Sequence, residues 1–270
     1  FKKIDKSQSI IVHTSDFSKS NGVIGIIGSG NFTRSMILPV LKKIGAKIKY
    51  ISSSGGLSST ILAKKYNIGV ATSNLDDLLN DPDVDAIIIA TRHNNHANLV
   101  IKSLASGKHV FVEKPLALSA KELQLVKNAY EETNKSLTVG FNRRFSPFLE
   151  RIKKITNNQN HPINVIATIN AGYIPKDHWV HDLKIGGGRI IGEACHFIDL
   201  ISYIAGSDVA SVVMNANGVS PNLDTDNASI ILKYKNGSNG VINYFSNGSS
   251  DYSKERIEIF ALKKNIIIEN

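Results

Sequence analysis

Cysteine is all but missing from this chain. The single Cys195 excludes an internal disulfide framework and fits a reducing, cytoplasmic compartment. No apolar run approaches the roughly 18–20 residues that a membrane span needs, so no membrane partner is expected. The first 21 residues are polar and charged and lack the apolar core of a signal peptide. Position 1 is Phe rather than Met, which leads us to expect a processed, trimmed or excised chain. Basic residues outnumber acidic ones, 32 against 23, yet they are scattered. No basic run is interleaved with aromatics, which argues against a nucleic-acid partner. There is no internal repeat and no low-complexity segment. The 270 residues, 42% hydrophobic, suffice for one large core or two modest ones.

What is present is a regular alternation. Val23–Gly28, Lys47–Ser52, Asp85–Ala90, His109–Val112 and Ser136–Asn142 read as strands, several of them almost unbroken in apolarity. Helices are predicted between them. The first runs from the loop after Gly28 to about Lys43, with Pro39 as its awkward point and Gly45 ending it. Another is capped by Ser58 or Ser59 and runs through Tyr66, and a third is capped by Asn74 and runs to Asn80. His96–Ser106 closes on Gly107, and Ser119–Glu122 is a capping box that opens a helix to about Asn134. This order predicts a doubly wound parallel Rossmann sheet over 22–142. Ahead of it lies a tail or linker, 1–21, with a possible strand at Ser9–His13.

The texture changes after Asn142. A helix starts at Ser146-Pro147 and runs to about Ile155. Strands then dominate: Ile163–Ala171, Val209–Asn215, Ala228–Tyr234, Gly240–Phe245, Ile257–Ala261 and Asn265–Glu269. Asn236-Gly237 signals a tight hairpin, and one helix, about Gly192–Ala205, interrupts. Residues 143–270 therefore read as an α+β domain with a mostly antiparallel sheet, for substrate binding and oligomerisation. Its last strand stops abruptly at Asn270, so a truncated domain is expected.

Two stretches of the first domain carry chemistry. After His109–Val112 come Glu113, Lys114 and Pro115, and the proline ends strand pairing because it has no N–H. Ligands of open parallel sheets sit beyond the carboxyl ends of the strands, so this acid–lysine pair is a candidate site; the plainer reading is a surface ion pair. The second stretch is Gly28, Ser29, Gly30, Asn31 and Phe32, between a strand and a helix. The first glycine permits a tight turn, the second lets backbone approach a pyrophosphate, and the helix N-terminus favours the charge. Thr33 occupies the third fingerprint position, where glycine is usual. The second strand ends Ser52-Ser53-Ser54-Gly55-Gly56 with no acid for a ribose 2′-hydroxyl, so Ser53 and Ser54 are compatible with either NAD or NADP.

Read together, IIGSGNF, DAIIIATRHNNHANLVIKSLASGKHVFVEKPLAL and GGGRIIGEACHFIDL (Gly186–Leu200) resemble the glucose–fructose oxidoreductase/inositol dehydrogenase (Gfo/Idh/MocA) family of NAD(P)-dependent oxidoreductases. GSGNFTRS, NRRFSPF and PKDHWVHD resemble a branch in which this module sometimes follows a zinc alcohol-dehydrogenase-like domain, which would make 1–270 a fragment. The resemblance implies that Lys114 hydrogen-bonds the reacting hydroxyl and the nicotinamide region. It implies that Glu113 and Pro115 shape that end of the cofactor pocket, with the proline peptide cis. Thr91, Arg92, His93 and His96 match a loop beside the cofactor, and His196 matches the catalytic histidine. Sheets of the family often pair face to face, which implies a homo-oligomer.

One departure stands out. Many sugar and inositol dehydrogenases of the family carry Asp four residues before the histidine; here that position is Gly192, with Glu193 beside it. On a regular helix the two lie about 100° apart. Glu193 either turns inward through a local distortion or the acid is dispensed with.

Hydride leaves a carbinol carbon as its hydroxyl loses a proton, so the site needs a base titrating near neutrality. An imidazole at about 6.5 suits that task, and Lys114 suits stabilisation of the developing alkoxide. Asp199, one turn after His196, either orients the imidazole or pairs locally. Asp177–Asp182 has no zinc-ligand spacing, and no metal is assigned. Trp179 and His181 in that loop are expected to line a sugar-sized cleft. Arg143 is expected to bind an anionic substituent, or else, with Arg144, to bridge domains. Cys195 reads as a small buried helix residue. The expected activity is hydride transfer to or from a sugar, polyol or nucleotide sugar. The alternatives are a non-enzymatic NAD(P)-binding regulator and a hydrolase or lyase that uses bound NAD transiently.

Overall fold

In the computed structural model, which describes residues 9–14, 16–17, 21–156, 161–222 and 225–269, the chain divides into two units, Phe1–Gly140 and Phe141–Asn270. Residues 1–8, 15 and 18–20 of the expected tail lie outside the described residues. Within it, Ile10–Ile11 (β1) forms a strand shorter than the one expected. It pairs antiparallel with Val70–Thr72 (β4), and Val12 and His13 both donate to the Gly69 carbonyl.

The remaining strands of this unit are Val23–Ile27 (β2), Lys47–Ser52 (β3), Ala86–Ile89 (β5), His109–Val112 (β6) and Leu137–Val139 (β7). With β1 and β4 they form one sheet in the order β1-β4-β3-β2-β5-β6-β7, parallel except for β1. Both faces are covered. Val23, Ile27, Ile87 and Ile89 join one apolar cluster, while Ile26, Ile24 and Ile88 point the other way into a second. This strict alternation explains why central strands read as unbroken apolar runs. A fully buried Ile such as Ile26 contributes roughly 1.5–3 kcal/mol.

The helices differ from expectation in detail. Between Thr33 and Lys43 the helix is not regular: Thr33–Ile37 is a π turn that runs into Leu38–Lys43 (α1), with Leu38 N–H donating to the Thr33 carbonyl. Pro39 has no N–H, and its ring collides with the carbonyl four residues back in a regular helix. The widened turn precedes it and gives the ring room. Leu57–Tyr66 (α2) starts one residue earlier than the serines suggest. Gly56 at φ +73° is its N-cap, and Ser59 and Thr60 sit inside the helix, donating back to the Gly56 carbonyl. Asp76–Leu79 (α3) is a single turn. His96–Ala105 (α4) ends before Gly107 at φ +71°. In the capping box of Ala120–Glu131 (α5), Glu122 N–H donates to Ser119 Oγ, while the Glu122 carboxylate reaches the N–H of Leu118.

The second unit opens with Pro147–Thr156 (α6) and Asn164–Asn170 (β8). Then come Cys195–Ala205 (α7), Val209–Ala216 (β9), Ala228–Tyr234 (β10), Asn239–Phe245 (β11), Glu255–Ala261 (β12) and Lys264–Glu269 (β13). The six strands form one sheet in the order β13-β12-β8-β11-β10-β9; β8 and β11 run parallel and every other pair is antiparallel. Leu149 and Ile152 of α6 and Phe197, Leu200 and Ile201 of α7 pack on the inward residues of β8 and β10–β12. The opposite face stays open. There one cross-strand row reads Val213, Ile231, Val241, Ile166, Glu258 and Ile267, apolar but for the glutamate. β12 and β13 are joined by Leu262 and Lys263, both at positive φ.

Candidate active site

The candidate nucleotide-binding part of the first unit lies where β2 turns into the helix. Gly28 holds φ +108°, and a Cβ there would stand 2.2 Å from the Ala90 carbonyl oxygen, so no other residue fits. A Cβ on Gly30 would meet nothing within 4 Å, which leaves room for a ligand against the backbone. The residues therefore fit a pyrophosphate at a helix start. Thr33 fits in place of the third glycine because it is fully buried and its hydroxyl donates to the Gly28 carbonyl. A chain of hydroxyls runs on from this loop. Ser29 bonds Ser58 at 2.5 Å, Ser58 bonds Ser53 at 3.3 Å, and Ser53 bonds Ser59 at 2.9 Å. Ser54 is exposed beside them. The turn after β3 is thus lined by hydroxyls.

The Glu113–Pro115 block follows β6, with Lys114-Pro115 in the cis form. Sequence reasoning placed His96 beside the cofactor, but the structure buries it completely. Its Nδ1 lies 2.8 Å from the Pro115 carbonyl and its Nε2 lies 3.2 Å from that of Thr91. Burial lowers its pKa against the pull of these carbonyls. A neutral ring donates from one nitrogen only, and the shorter contact assigns that N–H to Nδ1. His96 is therefore a staple that ties the loop after β5 to the Lys114 block. Thr91 and His93 are half-buried and Arg92 is exposed on that loop, and the His93 and His96 rings lie 5.8 Å apart. Burial pushes the Glu113 carboxyl up, against the opposing charge of Lys114. A Cβ on Gly140 would meet Glu113 Oε1 at 2.8 Å, so Gly140 leaves the space that this carboxylate fills.

In the second unit His196 is half-buried in the first turn of α7, edge-on to Phe141 with ring centroids 6.1 Å apart. The segment before it, Ile190–Ala194, is a π turn, so the direction of Glu193 is set by its partners and not by regular helical spacing. Those partners escaped sequence reasoning. Arg189, 1% exposed, donates to Glu193 Oε1 at 3.2 Å and Oε2 at 3.0 Å, to the carbonyls of Gly172 (2.7 Å) and Ala171 (3.0 Å), and lies 3.5 Å from Asp226. Tyr244 donates to Glu193 Oε2 and is fully buried. Burial and the neighbouring Glu193 push its phenol pKa up. Burial pulls the Arg189 guanidinium down, but Glu193, Tyr244 and Asp226 together outweigh it and the net shift is upward. The one local signal was Arg189 four residues before Glu193, a pair that meets on a helix. Asp226 and Tyr244 are distant in sequence.

Other expectations are relocated. Arg143 pairs within its own unit. Its guanidinium grips Glu255 at 2.5 and 2.6 Å and stacks 4.4 Å over Phe197, which commits it to its own unit instead of a ligand anion. Asp199 pairs locally: both its oxygens accept from Arg144, so it acts as an anchor for that arginine and neither imidazole orientation nor substrate contact is assigned to it. His181 folds back onto the Ile174 carbonyl at 3.3 Å. Trp179 is half-buried, with its ring 5.8 Å from that of exposed His178 and tilted 38° to it. Its loop is wound tightly over Gly186, where a Cβ would meet Val180 backbone at 2.5 Å. Cys195 is half-buried. Among the described residues no group of three or more His, Cys, Asp or Glu is placed to hold a metal, and no helix is long and apolar enough to cross a membrane.

Comparison with known proteins agrees with this geometry. Residues 23–141 match the oxidoreductase family with an NAD-binding Rossmann fold (GFO/IDH/MocA), and residues 161–267 match the GFO/IDH/MocA C-terminal domain. The chain belongs to the GFO/IDH/MocA oxidoreductase family. An uncharacterised oxidoreductase of Bacillus subtilis, YrbE, is 31% identical over 92% of this chain and 74% of its own length. Myo-inositol 2-dehydrogenase of Thermotoga maritima is also 31% identical, over 92% of this chain and 75% of its own. The crystal structure of a probable dehydrogenase from Thermotoga maritima superposes with a TM-score of 0.76 at 26% identity, covering 92% of this chain and 76% of that one. The chain is thus an NAD(P)-dependent oxidoreductase acting on CH–OH groups, and the fold neighbours share its Rossmann sheet and mostly antiparallel second sheet.

Proposed function

We propose that the chain oxidises a secondary hydroxyl of a sugar, polyol or nucleotide sugar, with Lys114 and His196 as its catalytic residues. The observation that carries this reading is the lysine at the carboxyl end of β6, stapled there by His96 through the Pro115 carbonyl. The activity of the Thermotoga maritima relative on myo-inositol supports the polyol class. Gly28, Ser29, Gly30, Asn31 and Phe32 hold the pyrophosphate, Ser53 and Ser54 the adenosine ribose, and Thr91, Arg92, His93 and Glu113 the remaining cofactor surface. A nicotinamide held there would supply the hydride acceptor. The Lys114 ammonium stabilises the alkoxide as the C–H bond breaks, and the hydroxyl proton passes to the His196 imidazole. Trp179 and His181 line the substrate side.

Lys114→Ala is expected to lower kcat by about 10²–10³-fold, the loss typical of one electrostatic donor. Dissociation constants for NAD or NADP, measured by calorimetry, should change little. Retained turnover would assign the chemistry elsewhere. We further propose a cytoplasmic homo-oligomer joined through the open face of the second sheet, and a longer polypeptide carrying a zinc alcohol-dehydrogenase-like domain. Light scattering tests the first, and intact mass with the full reading frame tests the second.

A further inference from the structure

We propose that the cleft where β9 ends, β10 begins and β11 ends is a site of spontaneous covalent modification, at which Asn217 and Asn247 lose their side-chain ammonia and become carboxylates. The sequence holds five Asn-Gly pairs, at Asn21, Asn217, Asn236, Asn239 and Asn247. In such a pair the glycine N–H, unshielded by a Cβ, can attack the asparagine side-chain carbonyl. Its nitrogen gives up the proton and bonds to Cγ, and the side-chain nitrogen leaves as ammonia. Water then opens the cyclic imide at either carbonyl, giving aspartate or isoaspartate. The reaction uses no cofactor and no substrate. It does require a glycine N–H and an asparagine amide that are both free to move.

The fold divides the five pairs. Asn236 is held at both ends: its Nδ2 donates to the Ala205 carbonyl at 2.9 Å, its Oδ1 accepts from Ser238 N–H at 3.1 Å, and Gly237 N–H donates to the Tyr234 carbonyl at 3.0 Å. Asn239 donates to Asn164 Oδ1 at 3.0 Å and accepts from Lys233 at 3.1 Å, while Gly240 lies in β11, paired on both sides by β8 and β10. Asn217 and Asn247 differ. Both are exposed, and among the described residues neither side chain, nor the N–H of Gly218 or Gly248, has a hydrogen-bond partner. They stand in one cleft of about 570 Å³, none of whose lining residues carries a charge. Asn227 ties the two strand ends together. Its carbonyl accepts from Asn217 N–H, its Oδ1 accepts from Ser246 N–H, and its Nδ2 donates to Ser246 Oγ and Asp226 Oδ1. The residue between the two reactive pairs is thus fixed while the pairs themselves are not. Asn21 and Gly22 are exposed and equally unheld among the described residues, so that pair serves as an internal reference.

The test is site-resolved peptide mass spectrometry of the full chain after incubation in mildly alkaline buffer below its unfolding midpoint and, in parallel, in guanidinium chloride. Incubation continues until all five pairs have converted in the denaturant. Conversion exchanges an amino group for a hydroxyl and so raises the peptide mass. Each event also lowers the formal net charge of +9 by one, which isoelectric focusing reads. In the native chain Asn217 and Asn247 should convert at least about tenfold faster than Asn236 and Asn239, because one hydrogen bond that must open first is worth up to about that factor. In guanidinium the difference should vanish. Asn217→Ser and Asn247→Ser should each remove one acidic species from the native sample. Asn236 or Asn239 converting as fast as the cleft pair in the native chain would overturn the proposal. So would a native Asn217 or Asn247 that keeps its amide while the same residue converts in denaturant.

Discussion

His96 shows how a motif residue changes meaning once its neighbours are known. Its position after the fourth parallel strand of the nucleotide sheet was legible, but its role was not, because the Pro115 carbonyl that receives it lies nineteen residues away. The buried ring also has a pH consequence. Its folded pKa lies below the ordinary value of 6.5, so the unfolded chain binds more protons as the medium is acidified. Its contribution to stability is complete above about pH 6.5 and is lost as pH falls toward the folded pKa, at most about 1.4 kcal/mol per pH unit. His96→Asn, which keeps a donor for Pro115, should flatten the fall of Tm between pH 7 and 5.5. An unchanged slope would assign the acid sensitivity to other groups. Arg143 and Asp199 teach the same lesson. For each a ligand-side role stood beside a structural one, and each is taken by a partner, Glu255 and Arg144, that only the tertiary fold brings near.

At the scale of elements the sequence was most informative where periodicity and capping act locally. The buried strands β2, β5 and β6, the Ser119–Glu122 cap and the left-handed Gly107 follow from short-range patterns. The two π turns did not, since each adds backbone where the sequence shows only an ordinary helical run. Pro39 signalled the first; for the second, the displaced acid at Glu193 beside Gly192 only left a local distortion open as one alternative. The β12–β13 hairpin also runs against local preference, with Leu262 at φ +53° and Lys263 at φ +60°. Such a loop favours Asn and Gly. Lys263→Gly should stabilise the chain by about 1 kcal/mol, the cost of a left-handed backbone for a residue with a Cβ, measured as a higher midpoint in thermal unfolding. A lower midpoint would show that the lysine side chain contributes more than its backbone strain removes.

For the whole molecule, the alternation of strands and helices foretold a parallel sheet followed by a mostly antiparallel one. Strand order in the second sheet was beyond reach, because the β8–β11 parallel pairing spans seventy-five residues. The cross-strand row of Val213, Ile231, Val241, Ile166 and Ile267 on its open face is where a second copy is proposed to pack. Ile231 is 51% exposed, so Ile231→Asp should leave the fold intact while lowering the mass seen in light scattering. An unchanged mass would place any association elsewhere.

The central claim is that this chain moves hydride between a polyol and a nicotinamide cofactor with the help of Lys114. The most direct measurement is the rate of nicotinamide reduction, followed by absorbance, with NAD and NADP separately against a panel of inositols, sugars and nucleotide sugars, for wild type and Lys114→Ala. The account predicts reduction with at least one polyol and a loss of about 10²-fold or more in the variant. Turnover that survives the loss of Lys114, or no reduction with either cofactor across the panel, would contradict it.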